Sequence, residues 1–240
     1  MHDDDIGTGQ LLTRRKALAL LGASGVALLA VRQGAAAATA SPLLACIARP
    51  RQTEGPFFVD GDLERSDLRS DLRSGAVKAG VPLRLAFRVS RLGSSGCAPL
   101  AGAQVHIWHC DAAGNYSSVR DRRASTAGES FLRGFQATDA AGTARFVTIY
   151  PGWYPGRAVH LHFKIRTADA PRPAEFTSQL YFDDALTERV YWAAPYASRG
   201  RPERRNGDDF LFRDGGGQLL LDVAADGEAY AAMFDIGLQA

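Results

Sequence analysis

Two of the chain's five histidines, His160 and His162, stand two apart in the apolar run "GRAVHLHFKI" (156–165). On a strand alternate residues share a face, so the two imidazoles would project to one side with Cα atoms about 6–7 Å apart. That spacing lets both rings converge on one metal ion, and imidazole is the commonest metal ligand. Just upstream, "YPGWYPG" (150–156) contains two Pro-Gly turns that bend the chain and bring the Tyr154 phenol beside the strand. A second tyrosine, Tyr116, closes "VHIWHCDAAGNYS" (105–117), where a strand runs into a Gly-Asn turn. Phenolate is a hard anionic donor, better suited to a ferric ion than to zinc or Cu(I). Taken singly, each feature has a plainer meaning. A His-x-His strand can be two hydrogen-bonded imidazoles, and a lone tyrosine is commonly a rim residue with a wet hydroxyl.

His106 and His109 also compete for a metal. Their separation is odd, so on a strand they face opposite ways and cannot serve one ion without a bulge. His109 and its neighbour Trp108 therefore read as structural residues or as braces for a ligand. "TEGPFF" (53–58) is not chemical in itself; its Gly-Pro turn would lay Phe57 and Phe58 along a pocket wall, with core packing as the plainer reading.

The elements that must position these side chains read as short strands. Candidates are "VPLRLAFRVS" (81–90), "AQVHIWHC" (103–110), "GTARFVTIY" (142–150), "AVHLHFKI" (158–165), "SQLYF" (178–182) and "DFLFRD" (209–214). Gly-containing turns such as "DAAGN" and "RDGGG" separate them. Many short strands at close spacing predict an all-β fold, an antiparallel β-sandwich with long active-site loops and few short helices. "SDLRSDLRS" (66–74) is too brief an echo for a solenoid and reads as a turn or short helix. Residues 184–196 read as a short helix and 198–208 as a surface loop.

Composition sets the outer limits. The chain has 240 residues with 46% hydrophobic and 22% charged, an ordinary globular balance. A formal charge of +2 gives no reason to expect nucleic acid as a partner. The arginine clusters "RDRR" and "RPERR" are interrupted by acidic residues and read as solvated faces. The first 40 residues read as a twin-arginine-type signal peptide, with Arg14 and Arg15, an apolar stretch from Ala17 to Val31, and "ATA" at 38–40 as a cleavage site. That stretch is short of the roughly 20 residues of a spanning helix, so export to the periplasm or medium without stable membrane insertion is expected. Folded export also suits a protein that takes up its cofactor first. Residues 41–240 then form one domain. Of three cysteines, Cys46 and Cys97 are the guessed disulfide pair, and no cysteine spacing matches a zinc motif.

Several segments together resemble the intradiol ring-cleavage dioxygenases, the family of catechol and protocatechuate dioxygenases. They are "TEGPFFVDGDLERSDLR" (53–69), "PLAGAQVHIWHCDAAGNYS" (99–117), "FLRGFQATDAAGTARFVTIYPGWYPGRAVHLHFKI" (131–165) and "SQLYF" (178–182). The resemblance spans essentially the whole mature chain in the same order. It implies non-haem Fe(III) held by two Tyr and two His, which map onto Tyr116, Tyr154, His160 and His162. It also implies catalytic roles for Arg157, three before His160, for Gln179 on the next strand, and for Tyr154 as the ligand that a substrate displaces. Both Arg157 and Gln179 would lie beside the substrate ring, presenting positive charge and an amide where electron density develops. The implied reaction opens a catechol-type ring between its two hydroxyl-bearing carbons with O2, giving a muconate-type dicarboxylic acid. The chain departs from the family in a shorter Tyr154–His160 spacing and in lacking the helical dimerisation region of the catechol enzymes. These differences bear on substrate size and oligomeric state, and a homo-oligomer stays compatible with the resemblance. The competing readings are an exported β-sandwich copper or electron-transfer protein, and a transthyretin-like binding domain that has lost the chemistry.

Overall fold

A computed structural model describes residues 47–239 except 62, 94–95, 121–124 and 168–173. The signal segment and Cys46 lie outside the described residues; Cys97 is disulfide-bonded. Among the described residues nine strands form two sheets, as expected of a β-sandwich. One sheet has the order β4-β3-β6-β7, from Arg133–Ala137, Gln104–Trp108, His160–Thr167 and Ala174–Tyr181, and is antiparallel throughout. The other has the order β2-β1-β9-β8, from Gly96–Pro99, Pro82–Gly93, Ala229–Leu238 and Val223–Asp226, with β5 (Thr143–Ile149) also paired to β1. Within this second sheet β1 and β9 run parallel, a pairing that the long stretch of chain between them permits.

Period-two patterning explains the core. On β6, Leu161, Phe163 and Ile165 point inward and are fully buried, while His160, His162 and Lys164 point to the other face. Leu85 and Phe87 of β1, Phe146 of β5, and Phe234 and Ile236 of β9 meet them from the second sheet. The Phe163 ring touches those of Phe87, Phe176 and Phe234 at centroid distances of 5.3, 5.9 and 5.5 Å. Each such buried aromatic contributes roughly 1.5–3 kcal/mol. The stretch 66–74 forms no helix. It and the residues just before it staple the two sheets: Arg65 N–H bonds the Phe135 carbonyl of β4, and Leu68 N–H bonds the Val147 carbonyl of β5. Two sheet edges are thereby covered.

One strand expectation fails. "DFLFRD" is not a strand but a single helical turn, α2 (Phe210–Arg213), because the Asp209 carboxylate caps it by accepting from the Leu211 and Phe212 amides. The helix expected over 184–196 is the shorter α1 (Asp184–Tyr191), capped by Asp183. No helix among the described residues is long and apolar enough to cross a membrane.

Candidate active site

The candidate site lies on the outer face of the β4-β3-β6-β7 sheet, beneath loops. His160 opens β6 and its Nδ1 donates to the Ala158 carbonyl at 2.7 Å. That bond fixes the tautomer, so the His160 Nε2 carries a bare lone pair. The His162 Nε2 lies 3.1 Å from it and the Tyr116 hydroxyl 3.2 Å from it. Donor atoms that surround one ion at about 2.1 Å and near-right angles are themselves about 3 Å apart. Both distances from the His160 Nε2 therefore match the spacing of a coordination shell. His162 Nδ1 is buried without a hydrogen-bond partner among the described residues, as is His106 Nε2.

Local chemistry builds this convergence. Tyr116 sits at the end of a turn in which the Asp111 carboxylate accepts from the Ala113 and Asn115 amides at 3.0 and 2.9 Å. Gly114 in that turn has φ +83°, and a Cβ there would collide with the Trp153 carbonyl. Glycine thus lets the Tyr116 turn lie against the Tyr154 turn. The Tyr154 turn is closed by Arg157 N–H to the Tyr154 carbonyl at 3.1 Å. The two phenol rings sit 6.0 Å apart, with Phe57 stacked on Tyr116 at 4.5 Å and edge-on to Tyr154 at 5.1 Å. Tyr116 is buried and Tyr154 half-buried, so Tyr154 forms the rim. From above, Gly55 (φ +69°) approaches His162 so closely that a Cβ would sit 3.2 Å from its ring.

Burial decides the protonation states. It holds the imidazoles neutral, with His160 lowered to about 3 and His162 well below its usual value, and Arg157 adds to both shifts. Burial also pushes the Tyr116 phenol well above its ordinary value. Without a cation the Tyr116 hydroxyl and the His162 Nε2 both crowd the single His160 Nε2 lone pair. A trivalent cation would both satisfy them and draw the proton from the phenol, so the donor set fits a ferric ion. Among the described residues no three His, Cys, Asp or Glu side chains group as a metal site, and the side-chain oxygen against this histidine pair is the Tyr116 phenol.

The expected residues are brought together in two layers. Tyr116, His160 and His162 touch directly, and Tyr154 joins through ring packing. Arg157 lies behind them: its Nη2 donates to Gln179 Oε1 at 2.7 Å and to Tyr181 Oη at 3.3 Å, and its Nε pairs with Asp209 at 2.8 Å. Gln179 spends its other amide atom on the Thr53 carbonyl at 2.9 Å, so here it orients Arg157 rather than offering a free amide. His109 is satisfied at both nitrogens, by the Cys110 carbonyl at 2.8 Å and Thr148 Oγ1 at 2.7 Å, which makes it structural. Trp108 stacks on His162 at 5.1 Å and 7°, bracing that ring. Phe57 and Phe58 do line the site.

Four contributors were not legible as site residues. Asp209 lay inside the misread strand, although an Asp before a short apolar run is a helix-cap signal. Tyr181 and Gln52 act through the fold, joined at 2.9 Å. Buried Arg133 ties the cover down, reaching the Phe57 carbonyl at 3.3 Å and Ser117 Oγ at 2.8 Å.

A family model described as "Dioxygenase" matches residues 53–202. The chain is 30% identical over 210 residues, 82% of each chain, to the protocatechuate 3,4-dioxygenase beta chain of Burkholderia cepacia. Its fold is similar to an intradiol ring-cleavage dioxygenase from Tetranychus urticae (27% identity, TM-score 0.68, covering 80% of this chain and 94% of that one). It is similar also to the dioxygenase domain of a carbohydrate-binding fusion protein from Streptomyces sp. SirexAA-E (32% identity, TM-score 0.55, 80% and 98% covered).

Proposed function

The chain belongs to the intradiol ring-cleavage dioxygenases and is an oxidoreductase of that family, and from this we propose a non-haem Fe(III) enzyme that opens catechol-type rings between their hydroxyl-bearing carbons. The observation that carries the reading is the His160 Nε2 lone pair with the His162 Nε2 at 3.1 Å and the Tyr116 hydroxyl at 3.2 Å. Tyr116, Tyr154, His160 and His162 would hold the ion. When bound, it supplies Lewis-acid activation of the diol toward O2.

The remaining tasks fall to the chain. Tyr116, buried and packed under Phe57, keeps a fixed place. Tyr154, on the rim, has the freedom to leave the donor set and take a proton from an incoming diol hydroxyl at its Oη. The Arg157 guanidinium is aligned to stabilise negative charge developing on the ring. Phe57 and the 53–58 cover exclude water. Catechol and O2 together hold every atom of the muconic acid product, so no further reductant is required. We also propose export by the twin-arginine route, supported by Arg14–Arg15 and the apolar stretch that follows.

The test is turnover by the ferric-loaded protein on catechol, protocatechuate, hydroxyquinol and chlorinated catechols, with O2 uptake and product absorbance followed together. One O2 consumed per muconate-type product is expected on at least one diol, and loss of turnover in Tyr154→Phe. Oxygen uptake without ring opening on any of them sinks the reading.

A further inference from the structure

Asp209 comes from a loop 52 residues beyond Arg157, yet its side chain has no solvent exposure and its carboxylate is fully engaged. Oδ2 accepts from Arg157 Nε and from the Ala158 amide, both at 2.8 Å. Oδ1 accepts from the Leu211 amide at 2.8 Å, capping α2. One carboxylate thus ties the turn carrying Arg157, the backbone leading into His160, and the start of α2. Burial opposes the charge, but these amides and Arg157 outweigh it and hold the carboxyl below its usual value.

The other guanidinium contacts are equally directional. Nη2 is held by Gln179 and Tyr181, and Tyr181 in turn by Gln52. Gln52 Nε2 donates to the Leu211 carbonyl at 2.6 Å, closing a circuit back to the helix that Asp209 caps. Arg157 is thereby gripped along its Nε edge and at Nη2, while Nη1 makes no hydrogen bond among the described residues. A guanidinium is planar, so fixing two of its nitrogens fixes where the third points.

We propose that Asp209 is a positioning residue for the ring-cleavage reaction: it locks the plane of Arg157 so that Nη1 faces the reacting diol. This rests on the reading above, that Arg157 faces the substrate. Asp209 touches none of the four donor side chains of the metal site, so its effect should appear in turnover and not in metal binding. A misplacement of about 1 Å in a charge-stabilising group costs on the order of 100-fold, and loss of an orienting partner about 10–100-fold.

Asp209→Asn keeps an oxygen for the Leu211 cap but puts an amide NH2 where Oδ2 accepts from Arg157 Nε and the Ala158 amide. In ferric-loaded protein this variant is expected to retain the visible absorption of the parent, to lose kcat by about 10–100-fold, and to change KM little. Placed in an Arg157→Ala background, it is expected to lower kcat by less than about 3-fold more, the remainder that the Ala158 amide contact contributes, because it acts through Arg157. A second measurement needs neither iron nor turnover: in 15N-labelled parent protein the Arg157 Nε–H, identified by its absence in Arg157→Lys, should exchange slowly with water. Unchanged kcat in Asp209→Asn, losses that multiply with Arg157→Ala, or a fast-exchanging Nε–H would each overturn the proposal. If the parent protein opens no diol ring, the functional reading fails, and the exchange measurement still decides whether Asp209 pins Arg157.

Discussion

The two sheets share one core but have opposite outer faces. On the β4-β3-β6-β7 sheet the outer face carries Trp108, Arg133, His160, His162, Lys164 and Gln179, and all are buried. On the other sheet the outer face carries Arg84, Ala86, Arg145, Val147, Ala231 and Met233, which line an open apolar groove of about 640 Å³. The first face is polar and covered; the second is largely apolar and uncovered. Cover explains the inversion. The 53–58 segment, the Tyr116 and Tyr154 turns and the α2 loop all fold over one sheet only. Under that cover every charge needs a partner. Lys164 has Glu54 at 2.6 Å, Glu175 at 2.9 Å and the Phe58 ring at 4.0 Å. The His160–His162–Tyr116 cluster meets that need only within itself, the His162 Nε2 and the Tyr116 hydroxyl lying 3.1 and 3.2 Å from the one His160 Nε2 lone pair. Concentrating so many buried polar groups on one face is costly, and the cost falls where the chemistry is proposed.

This contrast can be broken in graded steps. The largest effect should come from His162→Ala on the covered face, which is expected to reduce both iron content and ring cleavage to background while the protein stays folded. Metal analysis beside circular dichroism checks this, and a fully iron-loaded variant would contradict it. One residue along, on the inward side of the same strand, Phe163→Ala should cost about 3–5 kcal/mol in urea unfolding. The same substitution costing under 1 kcal/mol would mean that the shared core lies elsewhere.

Acid should weaken the metal-free protein by a similar or smaller amount. Burial lowers His109 to about 4 from 6.5, so the unfolded chain binds the extra proton first as pH falls. The stabilisation is complete above pH 6.5 and is lost on descending toward pH 4, on the order of 3 kcal/mol from this group. His106, lowered to about 4 chiefly by burial, acts in the same direction. Unfolding midpoints flat across that window would show that these histidines are not buried neutral. The smallest effect is expected on the open face: Arg84, whose exposed ion pair is with Asp226, should cost no more than about 1 kcal/mol when changed to Ala. A larger loss in chemical unfolding would mean that this face is covered in solution.

Much of the covered face was legible in the sequence because its signals are local. His-x-His alternation, two Pro-Gly turns and a Gly-Asn turn each have one dominant geometry, and the structure joins their side chains. The strands seen in advance were those rich in β-branched and aromatic residues. "RGFQA" (β4) and "AYAAMFDIGL" (β9) escaped because glycine and alanine dilute that signal; pairing with neighbours makes them strands. Asp209 and Gln52 escaped for another reason. Their partners lie 52 and 129 residues away, and no local pattern reports such a meeting. "DFLFRD" shows the same limit from the other side, since alternation suggested a strand and one capping carboxylate decided otherwise.

The central claim is that two phenols and two imidazoles on the covered face hold a ferric ion. Visible absorption of the iron-loaded protein, with metal analysis on the same sample, tests it most directly. One iron per chain and a burgundy-red tyrosinate-to-Fe(III) band are expected, with the band altered in both Tyr116→Phe and Tyr154→Phe. Stoichiometric ferric iron in a colourless protein, or a band indifferent to both tyrosines, would contradict it.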